Sequence, residues 1–390
     1  MTHKYETARS SYYSVGIVGA RGYSGLELAR LLLAHPFVKL TACFAVDPAR
    51  FSLASELFEE SANGVPTLDM SALDSPSLAQ QFHTIFLATP AEISLELAPK
   101  LVKKGVNVID LSGAFRLPAN FYPQWYGFTH TATDSLAAAE YGLVPFCGPM
   151  KNRKSERSDS SKSPGTLVAN PGCFVTSVLL AILPLLKKGV IDPASLVIDS
   201  KSGTTGAGKK ASAALLFSEV SGECLPYKIG AHQHFPEILE AVKEYAGVQI
   251  DPHFSTSLLA TPRGIISGVY ARMAPGKTLE DVKSAFDHAY ATYPLVRHGE
   301  IDPSKNPRLL SLKQVVGSNR VHIGYNVDAS SKPSKLYLYS LLDNLLKGAA
   351  SQAVENLNRL IDQPVETGLI PLPRMSSAAL TQNLNPLENE

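Results

Sequence analysis

Between residues 14 and 113 the chain alternates short β-type runs with helical ones, and that alternation narrows its fold more than any other feature. "SVGIVGA" (14–20) is an apolar run ending in glycine, and "GLELARLLLAHP" follows with helical spacing and a proline stop. "KLTACFAV" reads as a strand, "TIFLATP" as another broken by Pro90, "AEISLELAPKLVKKG" as a helix and "VNVIDLSG" as a further strand. Strand, helix and strand in this order form parallel βαβ units, because a parallel partner needs a crossover connection. The first ~145 residues therefore read as a doubly wound, nucleotide-binding-type domain.

A chain of 390 residues is too long for one ordinary core, so a second domain is expected. The texture changes after "GPMKNRKSERSDSSKSPG" (148–165), a Ser-, Lys- and Arg-rich stretch that reads as a solvated surface loop. "SLVIDSKSG", "STSLLATPRGIISGVYARM" and "NRVHIGYNVDA" are long β-rich runs. "TLEDVKSAFDHAYATYPLV" is a helix opened by a Thr278–Asp281 pair resembling a capping box. The second unit is thus a sheet-rich α+β domain. "DNLLKGAASQAVENLNRLI" (343–361) carries apolar residues at helical spacing and predicts an amphipathic helix, and the tail beyond Pro364 is expected to be irregular.

Lys+Arg 36 against Asp+Glu 35 leaves a net charge of +1, which gives no electrostatic footprint for nucleic acid or an anionic membrane. The longest apolar run, Phe174–Leu186, is too short to span a bilayer, and the first residues lack the apolar core of a secretory signal. Cys43, Cys147, Cys173 and Cys224 stand far apart without metal-like spacing, which favours free thiols in a reducing cytoplasm.

Four constellations carry chemistry. Gly19-Ala-Arg-Gly22-Tyr23-Ser24-Gly25 lies between the first strand and helix, where glycines allow a tight turn and close approach of a pyrophosphate to the helix N-terminus. After the second strand, Asp47 suits a ribose hydroxyl and Arg50 a 2′-phosphate, so NAD and NADP both remain open. "VANPGCFVTSVLLAILPLL" (168–186) offers Asn170 as a helix N-cap and Pro171 as the first helical residue. Cys173 then falls in the first turn, where the helix dipole favours a thiolate, and the N–H groups with the Asn170 amide could hold an oxyanion. The competing reading is a buried core cysteine. His232-Gln-His234-Phe-Pro-Glu237 places two histidines two residues apart. No cysteine or carboxylate at ligand spacing completes a zinc set, so no metal is expected, and the pair suits a thiol that needs an acid/base. Ser202-Gly203-Thr-Thr-Gly206-Ala-Gly208 with Lys209 and Lys210 follows a strand and could cradle a phosphate, although it lacks the spacing of a P-loop. Arg116 in "DLSGAFRL" and Arg263 in "TPRGI" are candidates for gripping substrate anions.

Together these segments resemble the N-acetyl-γ-glutamyl-phosphate reductase family, the arginine-pathway branch of the aspartate-semialdehyde-dehydrogenase-like enzymes. The resemblance runs nearly the whole chain through "GARGYSGLELARLL", "DLSGAFRL", "YGL", "VANPGC", "SGTTGAGKK", "HQHFPE", "PRGI" and "DNLLKGAASQAVENLN". It implies a Rossmann-type doubly wound parallel sheet binding NADP (residues 1–170, with 342–390 returning to pack on it) and a mixed-sheet α+β domain (171–341) for catalysis and oligomer contacts. It further implies Cys173 as nucleophile and His232, ahead of His234, as acid/base. Asn344 would approach the nicotinamide. Gly19, Gly22, Tyr23, Ser24 and Gly25 would hold the cofactor, joined by Ser202, Gly203 and Gly206. Asn170, Arg116, Arg263 and His234 would meet the substrate. The implied reaction is NADPH-dependent reduction of an acyl phosphate to an aldehyde in a cytoplasmic homo-oligomer, a dimer or a tetramer.

The chain also departs from the family pattern. NPGCFVT stands where NPGCYPT is usual, YGLVPF where YGLPEL is usual, and GAASQA where GAAGQA is usual. These changes spare the proposed catalytic groups and bear on substrate positioning. A sibling reductase for an aminoadipate-type or aspartyl phosphate, a non-catalytic NADP-binding protein and a thiol hydrolase are the competing expectations.

Overall fold

Val15, Ile17 and Val18 in the first strand are buried, as are all four residues of Thr84–Leu87, the pattern of strands covered on both faces. A computed structural model describes residues 12–150, 163–302, 304–305 and 308–370. Most of the basic 148–165 stretch, and the tail beyond residue 370, lie outside the described residues.

The first sheet contains β1 (Tyr13–Val18), β2 (Val38–Ala45), β3 (Thr67–Asp69), β4 (Thr84–Leu87), β5 (Asn107–Asp110), β6 (Glu140–Tyr141) and β7 (Leu167–Ala169). Its order is β3-β2-β1-β4-β5-β7-β6, and each pairing is parallel. The expected doubly wound sheet is therefore present. Strand order reverses between β1 and β4, so a crevice opens at the carboxyl ends of these strands.

The second sheet contains β8 (Val197–Gly203), β9 (Cys224–Pro226), β10 (His253–Leu259), β11 (Ile265–Arg272), β12 (Val296–Glu300), β13 (Val321–Asp328) and β14 (Lys335–Leu342). Its order is β12-β13-β14-β11-β8-β10-β9, with β12–β13 and β8–β10 parallel and the remaining pairs antiparallel. This is the mixed α+β architecture expected of the second half.

Six helices reach ten residues or more among the described residues: α1 (Tyr23–Leu33), α2 (Ala91–Lys103), α3 (Cys173–Lys187), α4 (His234–Ala246), α5 (Leu279–Tyr290) and α6 (Ser351–Leu360). The capping box of Thr278 and Asp281 forms at the start of α5 as expected. Every residue of α3 from Phe174 to Leu186 is buried, which explains the absence of charge along it. It packs on α4, α5, β11 and β14. Among the described residues no helix is long and apolar enough to cross a membrane.

Two local readings change. The segment 343–361 is not one regular helix: Leu346–Ala350 forms a π-helical turn before α6 begins at Ser351. Nor is it half-solvated, since Lys347, Ser351, Gln352, Glu355, Asn356 and Asn358 are as buried as the apolar stripe. The π turn and α6 pack against α1, and α6 also meets β5, so what reads as a polar face is an internal one.

Candidate active site

The glycine turn and the thiol loop leave the same edge of the first sheet, after β1 and β7 respectively. Between them lies a cavity of about 870 Å³. Gly22, Tyr23, Ser24 and Gly25 form one end, Cys173, Arg116, His232 and His234 the other, and Ser202, Gly203, Gly206 and Asn344 stand between. Gly19, Asn170 and Arg263 are not on its wall.

Gly19 acts from behind. Its φ is +85°, and a Cβ there would meet the Ala88 carbonyl oxygen at 2.4 Å, so the turn after β1 can close only on glycine. At Gly22 a Cβ would find only the Gly19 oxygen, at 3.5 Å, and open space beyond it. The first internal hydrogen bond of α1 runs from the Leu26 N–H to the Gly22 oxygen (2.9 Å), and no side chain caps the helix. The Tyr23, Ser24 and Gly25 N–H groups are therefore unused within the helix. An open cradle beside free helix donors fits a dinucleotide pyrophosphate.

Cys173 is the first residue of α3, and its N-cap is Gly172. This corrects the expectation that Asn170 caps the helix. The Asn170 side chain is fully buried and turned away from the cavity. Its Nδ2 donates to the Ala349 oxygen (3.2 Å) and its Oδ1 accepts from Asn356 Nδ2 (3.1 Å). It joins the thiol loop to the C-terminal helical segment.

A second correction concerns charge. Burial pushes the Cys173 thiol up to about 11. The Phe174 N–H and the Arg116 guanidinium pull it down, and the Glu237 carboxylate pushes it up. Desolvation outweighs the helix start, so the resting thiol is protonated at neutral pH and needs a base.

Both histidines are at hand. Burial, helped by the charge of Lys228, lowers His232 to about 4. His234 is held well below the ordinary value by burial, then by His232, Arg116 and Lys228. Both are neutral near pH 7. His232 Nδ1 accepts the His234 backbone N–H (3.1 Å), which places the proton of the neutral ring on Nε2 and makes that atom a donor. The His234 ring lies against the thiol loop, and a Cβ on Gly172 would stand 2.5 Å from its Nε2. Its Nδ1 is buried without a partner.

Arg116 lines the cavity. Its Nη2 donates to the Leu111 oxygen (2.7 Å) and its Nη1 approaches Glu237 at 3.5 Å, while Nε is buried without a partner. Arg263 does not reach it. Its guanidinium is occupied by Asp343 (3.0 Å) and Glu27 (2.9 Å), which turns it into a clamp between the second sheet and α1. Asn344 lines the cavity and is fixed by the Gly264 N–H (2.8 Å) and by Thr205 Oγ1 (3.0 Å).

Glu237 is the residue whose role was not read in the sequence. Although quoted in "HQHFPE", it shows its work only in three dimensions: Oε1 accepts the Gly172 N–H (2.9 Å) and the Tyr141 hydroxyl (2.7 Å), and Oε2 faces Arg116. It ties together the thiol loop, the arginine and the histidine helix. The signal was its spacing: on α4, residue 237 lies one turn after His234 and so shares its face. Cys43 is buried, Cys147 half-buried and Cys224 exposed, all free and none on the cavity wall. Among the described residues no three His, Cys, Asp or Glu side chains gather to hold a metal ion.

Residues 14–149 match the family model described as semialdehyde dehydrogenase, NAD binding domain, and residues 173–344 match the one described as semialdehyde dehydrogenase, dimerisation domain. An N-acetyl-gamma-glutamyl-phosphate reductase of Brevibacillus brevis is 38% identical over 361 residues, 92% of this chain and 98% of the relative. The chain belongs to the N-acetyl-gamma-glutamyl-phosphate reductase family. The relative from Geobacillus stearothermophilus is 37% identical over 92% of this chain and 99% of its own length. Among solved structures, the aspartate semialdehyde dehydrogenase with NADP from Candida albicans superposes with a TM-score of 0.67 at 16% identity, covering 90% of this chain and 99% of that one. Aspartate semialdehyde dehydrogenase II from Vibrio cholerae gives 0.65 at 18% identity with the same coverage. At such identity these structures share the fold. The residues matched to the NAD-binding model, 14–149, carry β2 to β6 and nearly all of β1.

Proposed function

We propose that the protein reduces N-acetyl-γ-glutamyl phosphate to N-acetylglutamate 5-semialdehyde through a thioester on Cys173, releasing phosphate. The observation that carries the reading is the meeting of Cys173, Arg116, His232 and His234 in one cavity that also opens on the free end of α1. Relatives named for this reaction support the substrate.

Because the thiol rests protonated, the first event is proton transfer from Cys173 Sγ to a neutral imidazole. The tautomer set at His232 favours His234 Nε2 as that acceptor, and leaves His232 Nε2–H to donate to the substrate carbonyl oxygen as charge develops. The thiolate adds to the acyl carbon, the C–O bond to phosphate breaks as the His234 imidazolium passes its proton to the leaving oxygen, and Arg116 steadies the departing hydrogen phosphate. When bound, the reduced nicotinamide supplies the hydride that converts the thioester to a thiohemiacetal. The thiohemiacetal oxygen, anionic and hydrogen-bonded by His232 Nε2–H, then re-forms C=O as the C–S bond breaks; the aldehyde leaves, and Sγ takes up a proton from solvent through His234.

Tyr23, Ser24 and Gly25 hold the cofactor phosphates, with Gly19 and Gly22 shaping the turn, and Ser202, Gly203, Gly206 and Asn344 border the nicotinamide. NADP is the proposed form. The supporting group is Arg50, exposed after β2 in an ion pair with Asp47 (3.0 Å), where it can turn to a 2′-phosphate. Residues 1–170 with 342–390 act as the dinucleotide domain and 171–341 as the catalytic and oligomer-forming one, in a cytoplasmic homo-oligomer. The match to a dimerisation model supports the last point.

The deciding experiment is the reverse reaction: N-acetylglutamate 5-semialdehyde, phosphate and NADP should give phosphate-dependent reduction, with NAD far less effective. No reduction by folded protein would sink the substrate assignment.

A further inference from the structure

In the π turn at Leu346–Ala350, two N–H groups reach the carbonyl five residues back: Gly348 to Asp343 (2.9 Å) and Ala350 to Leu345 (2.9 Å). Such turns squeeze one extra residue into a helical turn, are rare, and are frequently found at functional sites. Here the distortion has two visible consequences. Gly348 is pressed onto the thiol residue, so that a Cβ on it would stand 2.8 Å from Cys173 Cβ. The Ala349 oxygen points out to accept Asn170 Nδ2 (3.2 Å), at the start of the thiol loop.

Lys347 immediately precedes Gly348 and is wholly buried. Its Nζ donates to Glu355 Oε1 (2.5 Å) on α6 and to the Tyr293 hydroxyl, and that hydroxyl also meets Glu355 Oε2. The three side chains thus close a ring that links the π turn to α6 and to the segment after α5. None of them lines the cavity. A wholly buried ion pair is a poor source of stability, because desolving both charges costs about what their attraction returns, and apolar replacements are often as good. What the ring does is constrain geometry: it draws Lys347 towards Glu355, eight positions on, across the interrupted helical ladder.

We propose that Lys347, with Glu355 and Tyr293, is a positioning residue for Cys173, holding the π turn so that Gly348 and Asn170 fix the thiol loop. The inference rests on the thiol reading of the site.

Its test replaces the three polar ends together, as Lys347→Met, Glu355→Leu and Tyr293→Phe, so that no charge is left unpaired. The expected result is a folded protein with an undiminished thermal midpoint and a kcat lower by about tenfold, as displacement of a reacting group by a fraction of an ångström implies. Cys173 alkylation by iodoacetamide at fixed pH should change about threefold or more, with dinucleotide affinity within about twofold. A purely structural ring predicts unchanged kcat and alkylation rate in the folded variant, and that outcome would overturn the assignment. Should the triple variant not fold, Tyr293→Phe alone decides: an altered alkylation rate supports the assignment and a wild-type rate overturns it. If Cys173→Ser kept full turnover the covalent reading would fall, while the alkylation comparison would still report whether the π turn sets the thiol's surroundings.

Discussion

The starts of α1 and α3 are the same local device put to different uses. Both helices follow a strand of the first sheet, both are N-capped by glycine in nearly identical extended geometry (φ −70°, ψ 162° at Gly22; φ −69°, ψ 153° at Gly172), and neither has a side-chain cap. They differ in what comes near. The Gly22 Cα faces open cavity, whereas the Gly172 Cα is covered by the His234 ring and its N–H is taken by Glu237. A helix end left empty accepts an anion from outside. One covered by the protein's own imidazole and carboxylate is already occupied from within.

Substitutions at the two ends should separate these uses. Cys173→Ser should lower turnover by about 10³-fold or more while dinucleotide binding, measured by fluorescence titration, stays at the wild-type level. Near-normal turnover would show that α3 holds no nucleophile. Gly172→Ala places a methyl group 2.5 Å from His234 Nε2, so the ring must move. The expected loss in kcat is on the order of 10²-fold with the cofactor KM unchanged. Gly22→Ala meets no atom closer than 3.5 Å and leaves the fold intact, and its effect should be a roughly three- to tenfold rise in cofactor KM at constant kcat. If the two alanines gave the same kinetic pattern, the distinction between the helix ends would be lost.

Charge offers a finer probe. Glu237 pushes the Cys173 thiol up, so Glu237→Gln should move the midpoint of Cys173 alkylation against pH downward from about 11, while the amide oxygen still accepts the Gly172 N–H. An unmoved or higher midpoint would contradict the role given to the carboxylate. The histidines act on stability. An unfolded chain takes up protons at histidine near pH 6.5, whereas folded His232 resists until about 4, so stability falls as pH drops through that window. A shift of this size corresponds to about 3 kcal/mol for His232 at most. His232→Asn should flatten the decline of the denaturant midpoint between those pH values.

Motifs whose meaning is local could be read without coordinates. The βαβ alternation, the Gly19–Gly25 turn, the Thr278–Asp281 capping box and the placement of Cys173 at a helix start all depend on neighbours within a few residues. The partners of Arg263 and Asn170 were not legible in the sequence, for a common reason. Each is a strong hydrogen-bonding group near the site in sequence order, yet each is claimed by partners far along the chain, Asp343 and Glu27 for one, Asn356 and Ala349 for the other. The segment 343–361 misled in another way, because polar residues at helical spacing look alike whether they meet water or buried partners.

The sequence by itself determined that a thiol stands at the head of an uncharged helix, with a dinucleotide-type turn before it and two histidines after it. Local propensity and periodicity carry that information. Only the tertiary structure decided the state of the thiol, since burial acts against the helix start and wins. It also decided which histidine ring lies against the thiol loop, and that Glu237 holds that loop in place. Desolvation and hydrogen-bond partnership depend on what long-range packing brings near, and no short stretch of chain encodes them.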